Sequence, residues 1–372
     1  MLGCRKFIVL IPVLAAVVSL VTVPAVSVAA PARVTVQRIF GADRYATSAA
    51  VARAAFATSA TPIRKAVIAN GTDFPDAAVG ANLLSGYYGP GPVLLTRANA
   101  VPQPVVDVIK ALHIPQFFVV GGTTVVDTSV EQRLQALGDV YATFRGSDRY
   151  ATGARVAQSA FDAEANYPAE LDGMRTAFLV SGIAATDGLA AAPLTYAVRE
   201  GSVTPPRPES KFPLLLTQPD VLSVTTRDAL RSITGGNRPI QQVVAIGGPG
   251  AVSDVVLSQV RALGRSARRI SGVDRQATAV AVADFAIQTL GWNPTHVILV
   301  RGDDPADAAS AAPYAGENRA PLLFTSSPDQ LGTATADFLR AHAGAIQRID
   351  VLGGPGAVSD AVIAQARAAA GG

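Results

Sequence analysis

The sequence predicts an α/β protein of three tandem units, each a parallel sheet of about four strands with helices on both faces. Two observations carry this prediction. Four short motifs recur three times in the same order along the 372 residues, and such self-similarity is typical of an internal repeat. Between the motifs, short apolar runs alternate with segments of helical periodicity, as in chains of βαβ units.

The first thirty residues predict a secretory signal peptide rather than a part of the fold. Arg5 and Lys6 precede a long apolar run, and small residues follow it as far as Ala30. This order of basic, apolar and small residues is typical of a cleavable leader, and an uncleaved membrane anchor is the alternative. We therefore expect a signal peptide over 1–30 and a secreted chain that contains no membrane segment after cleavage.

Charge and cysteine content argue against several classes of protein. The single cysteine, Cys4, lies inside the predicted leader, so the mature chain has no disulfide, no thiol nucleophile and no cysteine metal site. Removal of Arg5 and Lys6 leaves 29 of the 31 basic residues against 28 acidic ones. That balance does not favour nucleic-acid binding, and we expect no cofactor.

The first repeated motif is FGADRYATS in Phe40–Ser48, which returns as RGSDRYATG and as SGVDRQATA. We expect each copy to end a short strand and to begin a helix, because aspartate is a favoured N-cap residue. The predicted caps are Asp43, Asp148 and Asp274.

An arginine follows each of these caps, where a cation meets the positive end of the helix dipole. The three are Arg44, Arg149 and Arg275. Each should therefore meet an anion. One candidate is a carboxylate of the same unit at the end of the next strand; the acids in question are Asp76, Asp187 and Asp307. The other candidate is an external anion held by the arginine together with free N–H groups of the helix.

The second and third motifs place polar residues after buried strands. VIANGTDFPDAA carries the acid just named, and P-[VL]-L-[LF]-T ends in a threonine. Ligands of open parallel sheets bind at the carboxyl ends of the strands, so these acids and threonines join the candidate ligand-binding residues. The threonines are Thr96, Thr217 and Thr325. Nearby acids such as Asp73 and Asp304 suggest a divalent cation, but exposed acids at a helix start are the favoured interpretation, and we predict no metal site.

The fourth motif is a glycine pair that follows a strand, as in VAIGGPGAVSDV. It lacks the third glycine of a dinucleotide-binding fingerprint. It therefore predicts a turn followed by a helix cap. The predicted caps are Asp127, Ser253 and Ser359.

From these motifs we place the three units at 34–141, 142–267 and 268–372. The middle unit is longer, and its extra residues fall in 166–173 and 199–211. Both segments are rich in proline, glycine and charge, so we predict surface loops there. The joints between units are short, which predicts one body rather than separate beads.

No catalytic motif recurs with the units. The three histidines do not occupy equivalent positions, and neither H-E-x-x-H nor G-x-S-x-G is present. A binding protein is therefore favoured over an enzyme.

The motifs G-x-D-R-Y-x-T, P-[VL]-L-[LF]-T and V-[VIL]-G-G resemble those of the cell wall-binding repeat 2 family, and the three copies cover nearly all of the chain after the leader. The resemblance implies Toprim-like, Rossmann-related units packed around a pseudo-threefold axis. It also implies a secreted, non-catalytic protein that attaches to anionic polymers of the Gram-positive wall, either teichoic-acid-like or acidic polysaccharides. This chain departs from the pattern at Gln276, where the other copies have tyrosine, and the second copy lacks the acid that matches Asp73 and Asp304.

Two other functions stay open from the sequence. One is a modifier or partner of a wall hydrolase or of another secreted protein. The other is a wall hydrolase or a metal-dependent, phosphate-handling α/β enzyme. The repeat itself favours polymer binding, because three linked weak sites hold a repeating ligand at high effective concentration.

Overall fold

The computed structural model describes residues 34–161, 167–196, 210–233 and 239–372, and these form parallel sheets alternating with helices. Residues Ala32–Gly372 make up one compact unit. The predicted signal peptide and most of the predicted loop 199–211 lie outside the described residues. Within the described residues, none of the helices is both long enough and apolar enough to cross a bilayer.

Each copy contributes four helices and four main strands. The first copy has β1 Thr35–Ile39, α1 Arg44–Phe56, β2 Lys65–Asn70, α2 Phe74–Gly80, β3 Val93–Thr96, α3 Gln103–Ala111, β4 Gln116–Val120 and α4 Thr128–Gln135. The second has β5 Asp139–Phe144, α5 Arg149–Ala160, β6 Tyr167–Pro168, β7 Glu170–Leu171, β8 Met174–Ser181, α6 Ala185–Tyr196, β9 Ser210–Lys211, β10 Leu214–Thr217, α7 Val224–Ser232, β11 Gln242–Ile246 and α8 Asp254–Ala262. The third has β12 Ser266–Ile270, α9 Arg275–Leu290, β13 His296–Arg301, α10 Ala311–Asn318, β14 Leu322–Thr325, α11 Thr333–Ala341, β15 Arg348–Leu352 and α12 Asp360–Ala369, with a 3₁₀ turn over Asp307–Ser310.

Buried strands form where the sequence has continuous apolar runs. Ala66–Ala69 in β2 and Leu214–Leu216 in β10 are almost completely buried, as expected for parallel strands covered on both faces. The three sheets have equivalent strand orders: β3-β2-β4-β5, β10-β8-β11-β12 and β14-β13-β15-β1. The predicted α/β class with parallel sheets is confirmed.

The first strand of every copy belongs to the sheet of the preceding copy. β5 pairs with β4 and β12 pairs with β11, both in parallel. β1 pairs with β15, with Thr35 opposite Arg348 and Ile39 opposite Leu352. The strand exchange therefore closes on itself, from the third copy back to the first.

This exchange follows from ordinary βαβ geometry. α4 lies between β4 and β5 in the chain, and two parallel strands joined by one helix pair side by side through a right-handed crossover. The next helix, α5, then packs on α2 and on β10. The predicted unit boundaries at 141/142 and 267/268 fall inside β5 and β12, so the repeat in the sequence and the sheet in the structure are offset by one strand.

The same kind of helix contact joins each pair of neighbouring copies. α5 packs on α2 between the first and second copies, α9 packs on α6 between the second and third, and α1 packs on α10 between the third and first. These contacts place the start of each first helix beside the second helix segment of the preceding copy.

The predicted caps of the last helices form only in part. The Asp127 carboxylate accepts the backbone N–H of Ser129 at 2.8 Å, and the Ser359 hydroxyl accepts that of Val362 at 3.4 Å. Ser253 occupies the N-cap position, but its side chain makes no capping hydrogen bond and its hydroxyl has no partner among the described residues. The prediction of a capping hydrogen bond is therefore wrong for Ser253, although the residue holds the N-cap position.

The second copy carries an addition that the other two lack. β6 pairs with β9, and β7 pairs antiparallel with β8. Lys211 in β9 is fully buried and donates from Nζ to the carbonyl oxygens of Asn82 and Leu84 in the first copy, at 2.5 and 2.7 Å. The added segment thus ties the second copy to the first.

Candidate functional site

The repeated Asp-Arg motif lies at the carboxyl ends of the strands, as the sequence predicts. Each aspartate is an N-cap residue with an extended backbone, and its carboxylate accepts a backbone N–H three residues later. The cap bonds are Asp43 to Ala46 at 2.8 Å, Asp148 to Ala151 at 2.7 Å and Asp274 to Ala277 at 2.8 Å. The predicted caps are confirmed, so these three aspartates use one carboxylate oxygen inside the fold.

The glycine and the threonine of the motif hold the same turn. In each copy the threonine hydroxyl accepts the N–H of the glycine; Thr278 accepts from Gly272 at 3.1 Å. A side chain at Gly272 would place its Cβ 2.3 Å from the Cβ of Ala277. The glycine and the Ala-Thr pair of the motif are therefore explained by the turn and not by a ligand.

Each arginine donates to a backbone carbonyl of its own copy. The acceptor is the glycine that follows the second strand, and the three bonds are Arg44 to Gly71 at 2.9 Å, Arg149 to Gly182 at 2.7 Å and Arg275 to Gly302 at 2.9 Å. The bond fixes the guanidinium over the strand end. Sequence reasoning missed this acceptor, although the repeated glycine itself was visible.

The other side of each guanidinium faces the acids of the preceding copy. Arg149 lies 3.6 Å from Asp73, and Arg44 lies 3.9 Å from Asp304 across the closure between the third and first copies. Among the described residues no ion pair joins Arg44 to Asp76 of its own unit. Of the two anions that the sequence offers, the carboxylate of the same unit is therefore not the partner of Arg44 or Arg149, because the strand exchange places each helix start beside the preceding sheet.

Of the three acids of the second motif, Asp76 and Asp187 are buried beneath the arginines and Asp307 is half-buried. In each copy the first glycine of the glycine pair packs directly on the carboxylate of this acid. At Gly247, where φ is +115°, a Cβ would lie 2.5 Å from Oδ2 of Asp187. The glycine is thus required by both its backbone conformation and the carboxylate against it, a close approach that the turn-and-cap interpretation did not foresee.

Burial raises the pKa of all three carboxyls. Desolvation raises the pKa of Asp76 to about 7; the charge of Asp73 adds to the rise, and that of Arg149 opposes it. Desolvation raises the pKa of Asp187 to about 6 against the opposing charge of Arg275. The pKa of Asp307 is raised by burial, and a hydrogen bond from Thr47 and the charge of Arg44 oppose the rise. Each arginine therefore acts on the acid of the neighbouring copy.

The three threonines of the third motif lie under the surface. All are fully buried, and the Thr96 and Thr217 hydroxyls donate to the carbonyls of Ala100 and Val221 at 2.7 and 3.1 Å. The Thr325 hydroxyl has no partner among the described residues. Thr96 and Thr217 thus close the turn after their strands, and none of the three threonines is exposed to a ligand.

Three clefts open at the junctions between copies. The first cleft lies between the first and second copies, has a volume of about 480 Å³ and contains Asp73 and Arg149. The second cleft lies between the second and third copies, has a volume of about 700 Å³ and contains Asp187 and Arg275. The third cleft lies between the third and first copies, has a volume of about 250 Å³ and contains Arg44 and Asp307. Each arginine thus lines a surface cleft.

The acids near these clefts pair with arginines and do not group around a common point. Asp303 is bound by Arg301 through two contacts of 2.6 and 2.9 Å, and Asp73 faces Arg149. Among the described residues, no group of three or more His, Cys, Asp or Glu side chains could hold a metal ion.

Comparison with known proteins places these repeats in a family. The model of the family described as cell wall binding domain 2 (CWB2) matches residues 38–131, 144–257 and 269–363. The chain is 25% identical over 291 residues to N-acetylmuramoyl-L-alanine amidase LytC of Bacillus subtilis (strain 168), covering 78% of this chain and 50% of that protein.

Two solved structures share the fold. Cwp8 from Clostridium difficile aligns with a TM-score of 0.70 at 18% identity, over 90% of this chain and 52% of that one. Cwp6 from Clostridium difficile aligns with a TM-score of 0.68 at 19% identity, over 90% of this chain and 48% of that one. The chain thus spans about half the length of these relatives. With three matched repeats that together cover most of its residues, the chain belongs to the cell wall binding domain 2 family.

Proposed function

We propose that the protein is a secreted, non-catalytic component that attaches to anionic secondary polymers of the Gram-positive wall. The observation that carries this proposal is the placement of the arginine of the repeated Asp-Arg motif in each junction cleft of a chain with three cell wall binding repeats. Guanidinium groups bind phosphate and carboxylate groups through parallel hydrogen bonds, so each cleft offers a contact for an acidic unit of the polymer.

The surroundings of the arginines suit a polymer of sugars or polyols. Backbone carbonyls and carboxylates in the clefts accept hydrogen bonds, and the hydroxyl groups of a sugar or polyol can donate them. The capped starts of α1, α5 and α9 add the positive end of a helix dipole beside each arginine. Arginine and acceptors together thus favour a ligand that carries both acidic and hydroxyl groups.

We propose further that the three units are related by a pseudo-threefold axis and that each resembles a Toprim-like, Rossmann-related fold. The equivalent strand orders and the cyclic strand exchange support this proposal. The unit boundaries 34–141, 142–267 and 268–372 describe the repeat in the sequence. Such an arrangement would present three clefts to one polymer chain or to three neighbouring ones.

A second candidate function is that of a modifier or partner of a wall hydrolase. The similarity to an amidase over 78% of this chain favours it. In this case the same clefts hold the protein on the wall, and a separate enzyme carries out hydrolysis.

Sedimentation with purified walls tests the proposal. We expect the protein, from residue 32 onwards, to sediment with walls that carry their anionic polymers and to stay in solution with walls from which these have been removed chemically. Binding should weaken as NaCl is raised, because exposed charge contacts are screened. Equal binding to stripped peptidoglycan would refute the polymer assignment, and release of soluble wall fragments, with or without Mg²⁺, would refute a non-catalytic role.

A further inference from the structure

The three clefts are built alike but are not charged alike. Asp73 in the first cleft and Asp304 in the third stand three residues before the buried acid, and each faces the local arginine at 3.6 and 3.9 Å. At the equivalent place in the second cleft the chain has Ala184. At this one position the second cleft therefore lacks the carboxylate that the other two contain, although Asp274 and Asp303 also line it.

The loss of that carboxylate leaves Arg275 with fewer partners. Its guanidinium donates to the carbonyl of Gly302, but among the described residues it makes no ion pair. Arg275 is exposed to solvent, whereas Arg44 and Arg149 are half-buried. The second cleft is also the most spacious of the three, with about 700 Å³ against 480 and 250 Å³.

The other charges that line the second cleft have internal roles. Asp274 caps α9, Asp187 lies buried beneath the arginine, and Asp303 is held by Arg301. Arg275 is therefore the charged group in this cleft with room for a partner from outside.

We propose that the second cleft is the primary site for an acidic group of the wall polymer, and that the first and third clefts hold their own carboxylate where that group would bind. This inference rests on the proposed function and goes beyond it, because it makes three equivalent positions unequal. The residue at position 184, and its equivalents Asp73 and Asp304, determine whether each cleft accepts an anion.

The physical reason is competition for one guanidinium. In the first and third clefts an incoming phosphate or carboxylate must displace an aspartate or lie beside it, and like charges a few ångströms apart repel. In the second cleft no carboxylate stands at the position of that aspartate. The exposed acids that do line it, Asp274 and Asp303, are engaged by the cap of α9 and by Arg301. The exposed side chains of Ile183 and Val273 border the second cleft and offer apolar contact to the carbon skeleton of the polymer.

Substitution at position 184 tests the inference. Ala184→Asp should copy the arrangement of the other clefts and lower affinity for polymer-bearing walls by about tenfold, the loss that follows when one charge-assisted hydrogen bond is removed. The matched control is Ala184→Asn, which adds nearly the same volume without the charge and should keep most of the affinity. Circular dichroism and thermal unfolding of both variants confirm that the fold is retained.

Arginine and aspartate variants supply the reciprocal test. Arg275→Ala should weaken wall binding more than Arg44→Ala or Arg149→Ala does. Asp73→Ala and Asp304→Ala should increase affinity, because each frees an arginine. The same titrations with poly(glycerol phosphate) and with polygalacturonate show whether the acidic group is a phosphate or a carboxylate.

The outcomes separate this inference from the proposed function. If the wild-type protein binds polymer-bearing walls selectively but Ala184→Asp binds as tightly as wild type, or Ala184→Asn loses as much, the second cleft is not the primary site. Equal losses from the three arginine variants would also overturn it. If the wild-type protein does not distinguish the two kinds of wall, the polymer assignment fails, and this inference fails with it.

Discussion

At the scale of single residues, the repeated polar side chains divide into two groups. The aspartate caps and the glycines are explained by the turn they build, whereas the arginines connect two copies and still reach the surface. An Arg at a helix start costs free energy against the dipole, and the carbonyl and carboxylates around it offset that cost. The acids buried beneath the arginines are the groups whose protonation should respond most to pH.

The buried carboxyl of Asp76 predicts a stability that depends on pH. Its folded-state pKa is about 7 against an ordinary value of 3.8, so the folded chain binds more protons than the unfolded chain between these values. The free energy of unfolding should therefore fall as pH rises from about 4 to 7. Asp76→Asn should flatten this decline, and urea unfolding at several pH values measures it.

A surface substitution, Asp329→Asn, is the matched control for that experiment and should leave the decline unchanged. Asp187 also has a raised pKa, of about 6, so Asp76→Asn should reduce the slope rather than abolish it. A slope identical to that of the wild type would show that Asp76 does not take up a proton on folding.

The glycine that packs on the buried carboxyl predicts a second effect. Gly247→Ala should destabilise the protein by about 1–3 kcal/mol, because φ is +115° there and the new Cβ would lie 2.5 Å from Asp187. Gly250 lies in the same loop. A Cβ added there would meet no other atom within 4 Å, and its backbone is not left-handed. Gly250→Ala should therefore be nearly neutral, and thermal unfolding of the two variants compares them. Equal melting temperatures would contradict the close approach.

At the scale of elements, β1 is the strand that joins the first copy to the third. It is an edge strand of five residues, and it completes the sheet of the third copy by pairing with β15. Arg38 in β1 also donates to the carbonyl of Val358 at 2.7 Å and pairs with Asp360 at 2.8 Å. Its strand pairing and these side-chain bonds are thus with the third copy, although it belongs to the first in sequence.

Removal of β1 should therefore damage the third copy rather than the first. A chain that begins at Phe40 should have a lower melting temperature than one that begins at Ala32, because β15 keeps β13 but loses its other partner strand, and Ile39 leaves the core. Hydrogen exchange should increase in β15 and β13 and change little in β2. An increase confined to the first copy would contradict the strand exchange.

At the scale of the whole molecule, the sequence predicts the elements better than their partners. The strands and the Asp caps are predictable because burial and capping leave local patterns, as in Ala66–Ala69 and Asp148. The exchange of β1, β5 and β12 leaves no such pattern, since a strand has the same periodicity in either sheet. For the same reason the sequence could place Arg149 near a carboxylate but could not tell that Asp73 and Asp76 of the neighbouring copy supply it.

The closure between β1 and β15 also sets the order of events in time. Thr35 pairs with Arg348, so β1 waits for a strand that is made only after the whole of the second copy. Contacts so distant in sequence form slowly, because a long loop must close first. The first two sheets can form while β1 is still unpaired, and the cyclic strand exchange is completed only after β15 has been made.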